Sequence, residues 1–269
     1  MGFGFGFRFG LGGSGGASAP LPTVDAFAAA ELSDETVECT ATLSADAEQW
    51  TVTESAAQPT HDETWTLAGQ PRMHTTALSG AITLYAWAWS EAGGVSLVGV
   101  PWNLVVIPGM TPVALEYGAN AFETWPHGFL VGTVYANTTD VTDPEGTYTA
   151  EKVAAGVSAG QYGFCTNAGT GLEGIMVRVH ADAGYARIRS ASATYNRLNT
   201  YTGQVTHGSG SLPGGAIRSS KDPDWWLFWT AGLTGDVAHI GICTTEVADN
   251  FPTNGTEVIY LYQCDGFLA

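Results

Sequence analysis

Short runs of alternating apolar and polar residues recur through the first part of the chain. Since successive side chains of a β-strand point to opposite faces, this alternation is typical of strands with one buried face. Turn-forming residues separate the runs, as at Pro59 and Gly93. We therefore predict a small β-sandwich over residues 24–108, with strand candidates at residues 36–43, 49–55, 82–90 and 103–109.

Similar runs continue over residues 109–269, where the segments are longer and richer in aromatic residues. One exception is residues 148–156, which fit a single helical turn closed by Gly156. A region of this length built from antiparallel strands favours a jelly roll. The main strand candidates are residues 129–138, 174–181, 185–191, 225–233, 238–246 and 257–266.

The first 23 residues form a glycine-rich arm, in which glycine or Arg8 alternates with phenylalanine from Gly2 to Phe9. An extended arm would place four rings on one face, namely Phe3, Phe5, Phe7 and Phe9. Glycine makes such a strand weak by itself, so the arm needs a partner to become ordered. We predict an anchoring arm that docks on another protein, with a disordered low-complexity tail as the alternative.

Composition narrows the fold class and the partners. The chain has 269 residues and a formal net charge of −17, from 26 acidic and 9 basic side chains. Such a chain is repelled by phosphate backbones and anionic lipids, so we expect no nucleic-acid partner. It has no apolar run of the ~18 residues that a membrane span needs, so we expect no membrane insertion. Few charges and many small polar residues favour an all-β fold.

Four cysteines are widely spaced and form no C-x-x-C motif, which disfavours a zinc or thioredoxin-like site. Cys243 and Cys264 fall in neighbouring strand candidates. They either pair in an oxidising compartment or remain as buried free thiols.

The first sandwich resembles bacterial and phage immunoglobulin-like modules. The similarity lies in QWTVTES (49–55), TWTLAGQP (64–71) and SGAITLYAWAWSEAGGVS (79–96). The modules of this family are spacers or adhesive folds, and the resemblance implies no chemistry for this region.

The second region is similar to carbohydrate-binding-module-like jelly rolls that are common in phage fibre and adsorption proteins. Four segments carry the resemblance in the family's order, at residues 141–156, 193–205, 222–245 and 249–269. The sequence departs from the family pattern at Asn196 and at Gln263-Cys264, where the family's closing strand continues toward a carboxylate. The resemblance implies a virion appendage, such as a tail or head fibre or spike, which is commonly a trimer.

Motifs for catalysis are weak. Gly156-Val157-Ser158-Ala159-Gly160 spells a nucleophile elbow but lacks the strand–turn–helix setting that this motif requires. Glycosidases need two carboxylates across a cleft, and the sequence leaves open whether any of its carboxylate clusters is catalytic: Asp62 and Glu63; Asp140, Asp143 and Glu145; Asp222 and Asp224. We expect no enzyme activity and no cofactor. A structural calcium ion in the loop of residues 140–145 is an open alternative.

Aromatic residues are the better candidates for ligand binding. Exposed rings stack on sugar faces and also anchor protein interfaces. The candidates are Tyr195, Tyr201, Trp225, Trp226 and Trp229. The alternative is that all five pack in the core or at a subunit contact.

Together these observations predict a bacteriophage virion structural protein located in the virion. Its arm would contact other virion proteins, and its jelly roll would attach to a host-surface glycan. The alternatives are a carbohydrate-binding adhesin and a glycan-degrading enzyme.

Overall fold

Strand formation follows the predicted alternation closely. The computed structural model describes residues 19–120, 122–125, 134–135, 138–154, 164–181, 184–192, 194–208, 210, 212–243 and 257–269. Within these residues the fold is all-β and contains no α-helix, only a 3-10 turn at Phe122–Thr124. Neither the arm with its four phenylalanines nor the motif around Ser158 falls within the described residues.

The first sandwich pairs a three-stranded sheet, ordered β1-β3-β6, with a six-stranded sheet, ordered β2-β9-β7-β4-β5 with β8 on β7. Most neighbours are antiparallel, while β2 and β9 run parallel. The strands are β1 (Val24–Ala29), β2 (Leu32–Ser33), β3 (Thr36–Leu43), β4 (Gln49–Thr53), β5 (Thr66–Leu67), β6 (Arg72–Thr75), β7 (Gly80–Ser90), β8 (Gly94–Val95) and β9 (Val100–Val106).

The core of the first sandwich lies between these two sheets. Phe27 of β1 contacts Trp50 and Trp102 of the facing sheet edge-to-face, each at a centroid distance of 6.3 Å. Leu84 and Leu104 are fully buried in the same cluster. Alternate residues of each strand thus supply the hydrophobic face that stabilises the sandwich.

The second sandwich pairs a seven-stranded sheet, ordered β11-β12-β21-β14-β19-β18 with β10 on β21, with a five-stranded sheet, ordered β13-β20-β15-β16-β17. The strands are β10 (Thr111–Val113), β11 (Val134–Tyr135), β12 (Glu151–Ala154), β13 (Phe164–Ala168), β14 (Gly174–His180), β15 (Tyr185–Ser190), β16 (Tyr195–Asn199), β17 (Val205–His207), β18 (Gly214–Arg218), β19 (Trp225–Ala231), β20 (Val237–Cys243) and β21 (Val258–Leu268).

The largest buried cluster fills the space between these two sheets. Val177 and Phe228 contribute from the seven-stranded sheet, and Ile188 and Ile240 contribute from the five-stranded sheet. The inner face of each sheet is therefore apolar. The opposite, outer faces carry the alternate side chains of these strands.

A third apolar cluster joins the two sandwiches. Val105 and Ile107, at the end of the first sandwich, pack with Met176, Trp229 and Phe267 on the outer face of the seven-stranded sheet. At the edge of this contact, the Asn103 side chain donates to the backbone carbonyl of Arg218 at 2.9 Å. We call this contact the junction.

Sequence and structure differ in one local prediction. The segment of the expected helical turn contains β12, in which Glu151 and Val153 are buried and alternate with half-buried neighbours. That period of two places both side chains on the inner face of the sheet and favours a strand. The limits of the predicted segments, 1–23, 24–108 and 109–269, stay predictions.

The cysteines with described side chains are free. Cys243 lies on β20 and Cys264 on β21, in different sheets, and both are buried thiols. Burial raises the pKa of Cys243 to about 12. The sequence left open whether Cys243 and Cys264 form a disulfide or remain buried free thiols, and in this structure they are buried free thiols.

In the described part of the chain, no helix has the length and apolar character needed to cross a membrane.

Candidate functional site

The structure buries most of the aromatic residues that the sequence suggested for ligand stacking. Tyr195, Trp225, Trp226 and Trp229 are at most 9% exposed, whereas Tyr201 is 57% exposed. The expectation of an exposed aromatic platform is therefore corrected, because four of its five rings offer no free face to a ligand.

Each of the three tryptophans is fixed by its own surroundings. The indole N–H of Trp225 donates to the carbonyl of Thr142 at 3.1 Å, and that of Trp226 donates to the carbonyl of Thr200 at 2.7 Å. Trp229 packs in the junction. These contacts correspond to the alternative in which the rings serve packing.

The carboxylates of residues 140–145 do not converge on a common point. Asp143 accepts hydrogen bonds from the hydroxyls and backbone N–H groups of Thr147 and Thr149. Asp140 instead pairs with Lys152, and Glu145 pairs with Lys221. Among the described residues there is no group of three metal-ligating side chains. The geometry therefore gives no support to a calcium ion in this loop.

A cleft of about 450 Å³ lies beside the junction and is open to solvent on one side. Its apolar walls come from the link between β1 and β2 and from the segment around β10, at Leu32, Met110, Val113 and Leu115. Its polar side chains are Glu31, Arg178, Lys221, Gln263 and Asp265. Ligand sites are preferentially concave, contain a few placed polar groups and lie at such interfaces.

The floor of the cleft is formed by a β-bulge in β21. Val177 of β14 pairs with Cys264, and the next residue, Arg178, pairs with Tyr262, so that Gln263 has no partner on β14. Gln263 has a φ of 41°, which is uncommon for a residue with a side chain. Its N–H donates to the Asn120 side chain at 3.0 Å, which holds this conformation. Bulges of this kind redirect side chains and occur often at functional sites.

Arg178 organises the charges next to the bulge. Its Nε donates to Glu31 at 2.7 Å, and its Nη1 donates to Asp265 at 3.0 Å. Glu31 also accepts a hydrogen bond from the Ser219 hydroxyl. Burial acts to lower the pKa of Arg178, but the Glu31 and Asp265 carboxylates outweigh it and raise that pKa. The guanidinium thus stays charged and connects the two sandwiches.

Half-buried Tyr262 adds an aromatic ring beside the same charges. It lies edge-to-face against Trp225 at 6.1 Å. Burial raises its pKa, and the charges of Asp143 and Glu145 act in the same direction. Tyr262 is not among the residues that line the cleft, which itself offers the Gln263 amide and the partly exposed Asp265 carboxylate.

Sequence reasoning did not identify this cleft. A signal was present at Gln263-Cys264, where the closing strand departs from the pattern of the similar jelly rolls, and this is the position of the bulge. Arg178 and Glu31 gave no such signal, since they are 147 residues apart in the chain.

Comparisons with known proteins show only distant similarity. No protein-family model matches the chain. No curated protein matches it either.

Solved structures give matches at low identity. One is described as "Structural basis for the promiscuous specificity of the carbohydrate-binding modules from the beta-sandwich super family"; it is 12% identical, with a TM-score of 0.29 over 93% of this chain and 99% of that chain. Another, a crystal structure of "domains CD", is 10% identical, with a TM-score of 0.32 over 93% and 98%. A SusE-like protein is 8% identical, with a TM-score of 0.27 over 90% and 96%. None of these matches supports a phage origin, and all are too distant to indicate what this chain binds.

Proposed function

We propose that this chain is a non-catalytic carbohydrate-binding protein and that the cleft beside the junction holds the sugar. The observation that supports this proposal most directly is the bulge at Gln263. It lies in an open cleft, beside the ion pair between Arg178 and Asp265. A non-glycine residue at positive φ is strained. Such residues persist where the surrounding structure fixes their backbone conformation, and they cluster at catalytic and ligand-binding sites.

The size and chemistry of the cleft support a small neutral glycan. A volume of about 450 Å³ falls in the range of small-molecule sites, roughly 300–1,000 Å³. The Gln263 amide both donates and accepts hydrogen bonds, and a carboxylate accepts them, as sugar hydroxyls require. The two acidic side chains of the cleft, Glu31 and Asp265, and its two basic ones, Arg178 and Lys221, sum to zero, which suits a neutral ligand.

Binding without catalysis is part of this proposal. Both Glu31 and Asp265 are ion-paired to one guanidinium, and Glu31 also binds Ser219. A glycosidase needs one carboxyl that delivers a proton and a second one across the scissile bond. Two carboxylates bound to the same cation are poorly suited to that division of roles.

Attachment to a host-surface glycan from a virion stays a prediction of the sequence, as do virion partners and a trimer. The proposal for the cleft does not depend on them.

The test is a glycan array followed by calorimetric titration of the full chain, with Gln263→Gly as the key variant. Glycine adopts this backbone conformation readily, so the variant removes the amide and keeps the bulge. We expect neutral oligosaccharides to bind, and the variant to bind about tenfold more weakly, the equivalent of one hydrogen bond to a ligand.

Gln70→Gly is the matched control, since Gln70 is exposed in a turn of the first sandwich. It should leave binding unchanged. Equal affinity in Gln263→Gly and wild type, or no binding of any neutral glycan, would contradict the proposal.

A further inference from the structure

Aromatic side chains continue along the outer face of the seven-stranded sheet, next to the cleft. On β21, Ile259 and Leu261 point into the core. Because side chains alternate along a strand, Tyr260 and Tyr262 point away from it. His180, at the end of β14, contacts Tyr260 on the same outer side. We call Tyr260, Tyr262 and His180 the aromatic strip.

One buried tryptophan holds the aromatic strip in place. Trp225 lies opposite His180 in the pairing of β19 with β14, and their rings meet edge-to-face at a centroid distance of 5.2 Å. His180 contacts Tyr260 edge-to-face at 5.8 Å, and Trp225 contacts Tyr262 in the same way at 6.1 Å. Trp225 is 0% exposed, and its indole N–H donates to the carbonyl of Thr142. Because each outer ring touches a fixed neighbour, the strip is preorganised.

The rings of the aromatic strip are partly open to solvent. Tyr260, Tyr262 and His180 are each half-buried. Polar groups lie beside them, since the Tyr260 hydroxyl donates to Asp140 at 3.3 Å and Asp140 pairs with Lys152. Flat rings bordered by hydrogen-bonding groups match a sugar, which has an apolar ring face and hydroxyl groups around it.

The aromatic strip is continuous with the cleft. Arg178, which lines the cleft, lies opposite Tyr262 in the pairing of β14 with β21, so both side chains are on the same face. Gln263, at the floor of the cleft, follows Tyr262 in the chain. At about 3.3 Å per residue, β21 extends roughly 15 Å from Asp265 in the cleft to Tyr260. A ligand that fills the cleft can therefore continue over the strip along one sheet face.

The charges beside the aromatic strip are arranged in neutral pairs. Asp140 pairs with Lys152, and Glu145 pairs with Lys221, which also lines the cleft. The chain as a whole has a formal net charge of −17, which repels acidic polymers. The strip, like the cleft, therefore suits an uncharged ligand.

We propose that the aromatic strip extends the sugar site, so that the protein binds a linear neutral oligosaccharide along the outer face of the seven-stranded sheet. This inference rests on the proposed function, which places a sugar in the cleft. Sugar units beyond the cleft stack on the rings of the strip, whereas a monosaccharide occupies the cleft alone. The protein therefore selects its ligands by chain length.

The experiment is calorimetric titration of the full chain with monosaccharides and tetrasaccharides. The probes are glucose, galactose and mannose, together with the β-1,4-linked tetrasaccharide of each. We expect at least one tetrasaccharide to bind tenfold or more tightly than its monosaccharide, because stacking on aromatic rings adds to the contacts in the cleft.

Tyr262→Leu and Tyr260→Leu are the test variants, because leucine keeps an apolar side chain and removes the flat ring. We expect each variant to bind the tetrasaccharide about tenfold more weakly and to keep the monosaccharide affinity within about twofold. Tyr85→Leu is the matched control, since Tyr85 is a half-buried strand residue of the first sandwich. Its binding should not change. Circular dichroism checks that all three variants fold.

Three outcomes would overturn the inference: no binding of any probe, equal affinity of the wild-type chain for monosaccharide and tetrasaccharide, or an unchanged length preference in the folded test variants. Gln263→Gly separates this inference from the proposed function, because it should weaken monosaccharide and tetrasaccharide by the same factor. If Gln263→Gly has no effect while Tyr262→Leu weakens the tetrasaccharide, the assignment of the cleft fails and that of the strip stands.

Discussion

Arg178 and Arg187 are both buried arginines of the second sandwich, but their surroundings are opposite. Arg178 lies on the outer face of the seven-stranded sheet, where Glu31 and Asp265 pair with it and raise its pKa despite burial. Arg187 lies on the outer face of the five-stranded sheet, where burial lowers its pKa to about 10 and neighbouring arginines add to that effect. At Arg178 the carboxylates outweigh the effect of burial on the pKa, whereas at Arg187 burial and two neighbouring arginines act in the same direction.

This difference separates two uses of a buried charge. A guanidinium neutralised within the fold acts as a connector. At the junction, Arg178 of β14 joins Glu31, in the link between β1 and β2, to Asp265 of β21. The guanidinium of Arg187 stacks on the Tyr195 ring, with its carbon 3.6 Å from the ring centroid. The first arrangement joins the two sandwiches, and the second packs side chains within the outer face of one sheet.

The largest effect that this comparison predicts is the loss of Glu31. Glu31→Gln removes the charge that faces Arg178, and breaking a buried pair from one side destabilises a protein strongly. We expect a loss of about 3 kcal/mol in the free energy of unfolding, measured by urea denaturation.

Glu145→Gln is the control for that loss, because Glu145 pairs with Lys221 near the surface. Exposed pairs contribute about 1 kcal/mol or less. Equal shifts in both variants would mean that the junction pair does not connect the sandwiches.

A smaller effect is expected at Asp143, a buried carboxylate that is compensated by hydrogen-bond donors instead of a cation. Burial acts to raise its pKa, but the hydrogen bonds from Thr147 and Thr149 outweigh it and hold the pKa well below the usual range. Asp143→Asn replaces an acceptor oxygen with a donor, so we expect a loss of about 2 kcal/mol at pH 7.

Adding or removing calcium distinguishes the structural role of Asp143 from a role as a metal ligand. Because the Asp143 oxygens already accept hydrogen bonds from the loop, calcium or a chelator should leave the melting temperature of the wild-type chain unchanged. A calcium-dependent increase that Asp143→Asn abolishes would show that the loop does bind the metal.

The sequence was most informative about strands. Period-two alternation marks β3 over the whole of its length, Thr36–Leu43, and marks β7 to within two residues at each end. A continuous aromatic-rich run marks β19 with similar accuracy. Local propensity and side-chain direction determine this pattern, so it can be read without knowing the fold. The segment around β12 was misread because its four residues are too few to distinguish the two periods.

The site could be predicted from the sequence far less well, because it depends on contacts between residues that are far apart in the chain. An aromatic-rich strand such as WWLFWTA is compatible with either an exposed platform or a buried central strand. In the structure it pairs on both sides and is buried along its whole length. The arginines of β15 and β16 did have a local signal. Arg187 and Arg189 alternate within YARIRS in a chain with nine basic residues, and Arg197 follows on the next strand.

Removing Arg189, whose charge lowers the pKa of both Arg187 and His239, should cost little. We expect Arg189→Gln to change the free energy of unfolding by about 0.5 kcal/mol or less, or to stabilise the chain at low ionic strength, because a repulsion is lost. Salt screens that repulsion. Sodium chloride should therefore stabilise the wild-type chain more than the variant, which urea denaturation at low and high salt will measure. A loss as large as that in Glu31→Gln would remove the distinction between the two regions.

The effect that is smallest at neutral pH is a pH dependence that originates at His239 and grows as the pH is lowered. Its folded pKa of about 4 lies below the ordinary value of 6.5, since burial and the charge of Arg189 oppose protonation. Between these two values the unfolded chain takes up a proton that the folded chain does not, so stability falls as the pH decreases from 6.5 toward 4. In His239→Gln this contribution is absent, and the melting temperatures of wild type and variant should diverge over that range. In Arg189→Gln the decrease should become shallower, because the folded pKa moves back toward 6.5. Parallel curves for wild type and His239→Gln would contradict the prediction, because they would mean that burial and the charge of Arg189 do not keep the folded histidine neutral in this range.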